Sequence, residues 1–227
     1  MSIADELKEL RDKGLVGICE KVASIKLLDP KEVKEAILCI VDEYVGPAEA
    51  ESISSLLQKD SYFEDPASSR FHLSRPGGLA LHSLLVLDSL VRLRDAFKMM
   101  PKVSELTVES LVKVALLHDM CKVGTYKVES RNRKDDATGK WEKYDVYVRR
   151  SAGPGTNYGH GFGSLLVAME AGIPFSAMEK EAVIHHMGGF GETKDTSMKD
   201  SFSSNPLALL LHQADMMATH LVETDIE

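Results

Sequence analysis

The chain is poor in cysteine, in tryptophan, in positive charge and in long apolar runs, and each shortage removes a class of protein. Three cysteines (Cys19, Cys39 and Cys121) in 227 residues are too few and too scattered for a disulfide framework, so reduced thiols are expected. Lys and Arg number 27 against 35 Asp and Glu, a net charge of −8. A general nucleic-acid coat would be basic, although a small basic pocket for a phosphate stays open. The longest apolar stretch, 79–87, is interrupted by His82 and Ser83 and falls far short of the ~20 residues that span a bilayer. The opening MSIADELKELRDKG is charged and has no apolar signal-peptide core. A cytoplasmic protein with no membrane role is expected. With 44% apolar and 27% charged residues, the composition excludes disorder and collagen-like repeats.

What is present is helical periodicity. Asp29-Pro30 reads as N-cap and first helical residue, opening a helix to about 44. Gly46-Pro47 stops it, and a second run continues to about 59. Segment 60–76, with two prolines and many small polar residues, reads as loop. Helices are predicted over about 79–99, from the cap Thr107 to about 120, from 157 or 158 to 171, from the Ser176/Glu179 capping box to 187, and from Asn205-Pro206 to about 223. One stretch alternates instead: 126–131 and 141–148, with 134–140 as the turn, predict a β-hairpin. The reading is an all-α domain with one hairpin inserted near 125–150, and with residues 1–60 as a helical N-terminal extension packed on a core of 61–227.

The informative residues are polar side chains on apolar helical faces. His118 follows Leu111, Val114 and Ala115 at helical spacing, and Asp119 follows Ala115 and Leu116. Asp215 lies among Ala208, Leu211 and Ala218, and His82 beside Leu85 and Val86. A carboxylate on such a face must be paired or bound to a cation, because burying it alone is prohibitive. Several imidazoles and carboxylates facing one interior suit a first-row transition metal.

Local strings around these residues resemble the HD-domain superfamily of metal-dependent phosphohydrolases. PGGLALHS is similar to the opening of that domain's first ligand helix, LLHDMCKVGTY to its HD-x-x-K signature with Lys122 in the lysine place, and NPLALLLHQADMMAT to its closing helix. The resemblance covers about 70–222. NYGHGFGSLLVAM and AVIHHMGGF extend it to the two-metal, small stand-alone hydrolases of bacteria and phages. It implies that His82, His118, Asp119 and Asp215 hold a first divalent metal. Asp119 bridges to a second, held by His160 and either His185 or His186; His186 is favoured because H-x-G is the recurring string. The GYP motif of cyclic-di-GMP hydrolases is absent, with Gly189-Phe190-Gly191 in its place, and residues 1–60 match nothing in the family.

The chemistry this implies is hydrolysis of a phosphomonoester or phosphodiester, in a nucleotide or other small phosphate, by a metal-bridged hydroxide. Lys122 would bind a phosphate oxygen, Arg70 and Arg75 are candidates for a second phosphate contact, and His185, if not a ligand, could donate to the leaving group. Four His and two Asp favour Fe, Mn, Co, Ni or Zn over Mg. The hairpin, with Tyr126, Trp141, Tyr144 and Tyr147, is expected near the site mouth as a substrate selector or as a contact in a homo-oligomer. Two other readings stand beside it: an HD-fold diiron oxygenase, which shares the ligand set, and a non-catalytic regulatory module, which the intact candidate ligands argue against. Lys122 favours the phosphate reading, because an anionic substrate needs a cation there.

Overall fold

Short polar side chains and prolines set most of the helix starts. The structure, a computed structural model, describes residues 15–135, 137–150, 158–190 and 197–226. Helices α1 (Leu15–Ser24), α2 (Pro30–Tyr44) and α3 (Pro47–Lys59) come first. The Asp29 carboxylate accepts from the Lys31 N–H at 2.9 Å, and Pro30 fills a position whose N–H would have no helical partner. Helix α4 (Gly78–Ala96) is the centre of the fold: every residue from Gly78 to Leu87 is buried, as expected of a helix apolar all round. Helices α1, α2, α6 (Val108–Leu117) and α10 (Pro206–Met217) pack around it.

The loop before α4 fits tightly against it. A Cβ added at Gly78 would lie 2.1 Å from the Leu73 carbonyl oxygen. Leu73 itself has φ 43, a strained conformation for a branched residue, held by complete burial of its side chain.

Helix α4 ends at Ala96, short of the predicted 99, and a brief α5 (Pro101–Ser104) follows. Thr107 caps α6 as expected, accepting from the Ser110 N–H at 3.2 Å. The helix stops at Leu117 rather than 120, and a 3₁₀ turn, Met120–Lys122, takes over. The hairpin pairs β1 (Tyr126–Lys134) with β2 (Trp141–Arg149), Tyr126 opposite Arg149 and Lys134 opposite Trp141. Its strands run further than predicted because polar partners hold its outer end. Arg133 pairs with Glu142 at 2.6 Å, and the Asp135 carboxylate accepts from the N–H groups of Ala137 and Thr138.

Helices α7 (His160–Glu170), α8 (Ala177–His185), α9 (Ser197–Ser204) and α10 complete the set of ten among the described residues. Both bonds of the Ser176/Glu179 capping box form, and Asn205 accepts from the Leu207 and Ala208 N–H groups. The periodicity predicts no helix where α9 stands. The predicted helix to 223 instead changes character after Met217, into a π-turn (Ala218–Val222) and a 3₁₀ turn (Glu223–Asp225). The chain is thus mostly helical with one inserted two-stranded sheet. A single set of buried apolar side chains extends from Ile18 to Ala218, and α1–α3, from the stretch expected as an extension, contribute to it. Residues 1–14 of that stretch lie outside the described residues. Among those described, no helix is long and apolar enough to cross a membrane.

Candidate metal centre

Most of the cluster stands at helix ends. His82 lies within α4, but His118 is the residue that closes α6, and Asp119 has already left the helix at φ −112, ψ 18. His160 opens α7, and His186 closes α8. Asp215 is on the last turn of α10. Helices α7 and α8 approach closely at Gly161: a Cβ there would be 2.4 Å from the carbonyl oxygens of Val183 and Ile184. That close approach sets His160 beside His186, with ring centroids 6.1 Å apart.

Asp119 is the hub, and its two oxygens face different groups. Oδ2 lies 3.5 Å from His82 Nε2, 3.4 Å from His118 Nε2 and 2.6 Å from the Lys122 ammonium. Oδ1 lies 3.4 Å from His160 Nε2 and 3.7 Å from His186 Nε2. His82 Nε2 is also 3.3 Å from Asp215 Oδ1 and 3.3 Å from His118 Nε2. Two donors about 2.1 Å from one tetrahedral ion stand ~3.4 Å apart, so these separations are those of ligands around a shared cation.

The outer ring nitrogens explain the inward ones. His118 Nδ1 donates to the Ala115 carbonyl at 2.8 Å and His186 Nδ1 to the Val183 carbonyl at 2.7 Å. A carbonyl only accepts, so each Nδ1 carries a proton and Nε2 turns inward, the nitrogen that would ligate a metal once deprotonated. His82 Nδ1 faces Glu223 Oε1 at 2.6 Å and so carries a proton as well, while its Nε2 faces Asp215 Oδ1 at 3.3 Å. Among the described residues, His160 Nδ1 meets only the Cys121 sulfur, at 3.6 Å, and the buried Asp119 Oδ1 and His186 Nε2 have no hydrogen-bond partner. These two unsatisfied atoms lie 3.7 Å apart, an environment that a cation would satisfy.

The electrostatics follow. Burial disfavours a charged His82, but its bonds to Asp215 and Glu223 outweigh that and hold its pKa up to about 10. Burial also works against ionised Asp119 and Asp215. Lys122 and His118 hold Asp119 well below the usual range, and His82 does the same for Asp215. Glu223 is held down to about 2 against its burial by His72 and His82. Burial keeps His118 neutral-leaning and takes His160 down to about 4. Solvent approaches on one side: the side chains of His160 and Asp215 are 24% and 15% exposed, against 0–3% for His82, His118, Asp119 and His186.

Of the residues singled out from the sequence, the structure gathers His82, His118, Asp119, Lys122, His160, His186 and Asp215. Among the described residues, His185, Arg70 and Arg75 make no hydrogen bond or ion pair with this group. His185 is half-buried beside His186, Arg70 is exposed, and Arg75 is half-buried with its Nε unpaired. Glu223, His72 and Cys121 adjoin the cluster without having been signalled. Arg149, at the hairpin base, is close enough for its charge to act on His160 and Cys121.

No family model, curated protein or solved structure matches the chain. The site therefore stands on its own geometry: buried His and Asp side chains close enough to hold a metal ion, in an arrangement compatible with an HD-type centre.

Proposed function

We propose that the chain is a metal-dependent phosphohydrolase of the HD-domain kind, acting on a nucleotide or other small phosphate ester. The observation that supports it best is the pair of buried, unsatisfied atoms Asp119 Oδ1 and His186 Nε2, 3.7 Å apart among four imidazoles. In this reading His82, His118, Asp119 and Asp215 would hold one ion, and Asp119, His160 and His186 a second. Nitrogen-rich donors favour Fe, Mn, Co, Ni or Zn over Mg. Such ions, when bound, supply Lewis-acid charge to a phosphoryl group and lower the pKa of water.

The chain's own residues do the rest. Asp119 orients both halves of the site. Lys122, paired with Asp119 Oδ2 at 2.6 Å, is the ammonium of the cluster among the described residues and would bind a phosphate oxygen. Arg149 adds a cation from the hairpin on the side of His160, a better-placed phosphate contact than Arg70 or Arg75.

The test is elemental analysis followed by a panel of phosphomonoesters and phosphodiesters. One to two transition ions per chain, ion-dependent phosphate release and inhibition by inorganic phosphate are expected. Ions bound without hydrolysis or phosphate inhibition, but with oxygen uptake and a mixed-valent iron signal, would replace this reading by the oxygenase one.

A further inference from the structure

Glu223 is outside the proposed ligand set, yet it is fully buried and both of its oxygens meet imidazoles. Oε1 lies 2.6 Å from His82 Nδ1 and Oε2 2.6 Å from His72 Nδ1. The need for it follows from where His82 sits. His118 and His186 close their helices, where backbone carbonyls lack helical partners, and each donates to the carbonyl three residues back. His82 is inside α4, where the carbonyls within reach already serve the helix. Its Nδ1 proton therefore requires an acceptor from elsewhere in the chain.

The backbone makes a detour to supply one. In an unbroken α-helix, position 223 would lie ~12 Å along from position 215 and ~80° around the axis. The π-turn Ala218–Val222 replaces that path, and Asp215 and Glu223 come to grip opposite nitrogens of the same ring, Nε2 at 3.3 Å and Nδ1 at 2.6 Å. Single π-turns of this kind concentrate at functional sites.

We infer that Glu223 is the positioning residue of the metal centre. It holds His82 with Nδ1–H outward and Nε2 toward the ion, and His72 completes the arrangement from the loop before α4 by occupying the second carboxylate oxygen. This rests on the metal-centre reading, but not on the identity of the reaction.

The experiment compares the wild-type chain with Glu223→Ala, Glu223→Gln and His72→Ala. Co²⁺ affinity is measured by chelator competition, and the histidine ring protons are followed by ¹⁵N-resolved NMR in Zn²⁺-loaded protein. Glu223→Ala is expected to weaken the tighter Co²⁺ site about 10- to 100-fold. Glu223→Gln should recover most of that, because the amide oxygen still accepts from His82, and His72→Ala should fall between wild type and Glu223→Ala. The His82 Nδ1 proton should be downfield and slow to exchange in wild type, and should move upfield in Glu223→Gln as the acceptor loses its charge. This last readout stands even if Glu223→Ala does not fold. Co²⁺ affinity within about twofold of wild type in folded Glu223→Ala, or an unmoved His82 proton in Glu223→Gln, overturns the inference. A wild-type chain that binds no ion overturns both this and the metal reading. A chain that binds Co²⁺ but cleaves no phosphate ester removes only the hydrolase reading, and the variants still decide on Glu223.

Discussion

Lys122 is the residue on which the choice of chemistry turns. Its ammonium is buried against Asp119 at 2.6 Å, and that pairing lifts its pKa despite the desolvation that opposes it. Lys122→Ala should remove one charge-assisted contact to substrate of about 1.5–3 kcal/mol, a loss of roughly 10- to 150-fold in kcat/KM. Ion affinity should hold or rise, because the lysine competes with the ion for Asp119. Kinetics on a phosphate ester, paired with an ion titration, check both; unchanged kcat/KM with unchanged phosphate inhibition would show that Lys122 does not face substrate. At this scale much was legible: His82, His118, Asp119 and Asp215 each interrupt an apolar helical stripe, a pattern visible without coordinates. Glu223 and His72 were not, because one depends on a π-turn and the other on a loop, and neither leaves a periodic trace. His186 was preferred to His185 on the H-x-G string, and it is His186 that stands beside Asp119.

Most elements meet the site through their ends, and α7 and α8 approach each other closely there. Gly161 has backbone oxygens of Val183 and Ile184 where a Cβ would stand, at 2.4 Å. Gly161→Ala must push the helices apart and should cost about 1–3 kcal/mol of stability. The same displacement separates His160 from His186, so the variant should lose the Oδ1-side ion and keep the one held by His82, His118 and Asp215. Thermal unfolding and ion stoichiometry test this together; full stoichiometry at unchanged stability would show that the helices yield there. The caps Asp29, Thr107, Ser176 and Asn205 could be read ahead because capping is local chemistry. The early end of α6 could not: no breaker follows Leu117, and the chain turns where His118 and Asp119 are both buried.

For the whole molecule, the cluster sets how stability depends on pH. His82, raised from 6.5 to about 10, contributes stability that is complete below about pH 6.5 and lost as pH rises through 10. His160, lowered from 6.5 to about 4, and Glu223, lowered from 4.5 to about 2, act oppositely. Their contributions are present above those unfolded values and lost as pH falls through the folded ones. Ion-free protein should therefore unfold at its highest temperature near pH 6.5 and weaken on both sides. With Zn²⁺ bound, the alkaline decline should disappear, since ligation requires deprotonated rings. Melting curves with and without the ion from about pH 5 to 9 distinguish the cases; an ion-free chain with no alkaline decline would mean that His82 is not held as a cation.

The bond between His82 and Glu223 joins positions 141 residues apart, and that between His72 and Glu223 joins positions 151 apart. During synthesis, His82, His118 and Asp119 leave the ribosome well before Asp215 and Glu223 exist. Until then His82 lacks both carboxylates that grip its ring. Contacts of such long sequence separation are slow to form. In the proposed metal centre, an ion captured before 215–223 is in place would rest on an incomplete ligand set. Metal content after expression in cells and after refolding with a chosen ion can therefore differ for one and the same sequence.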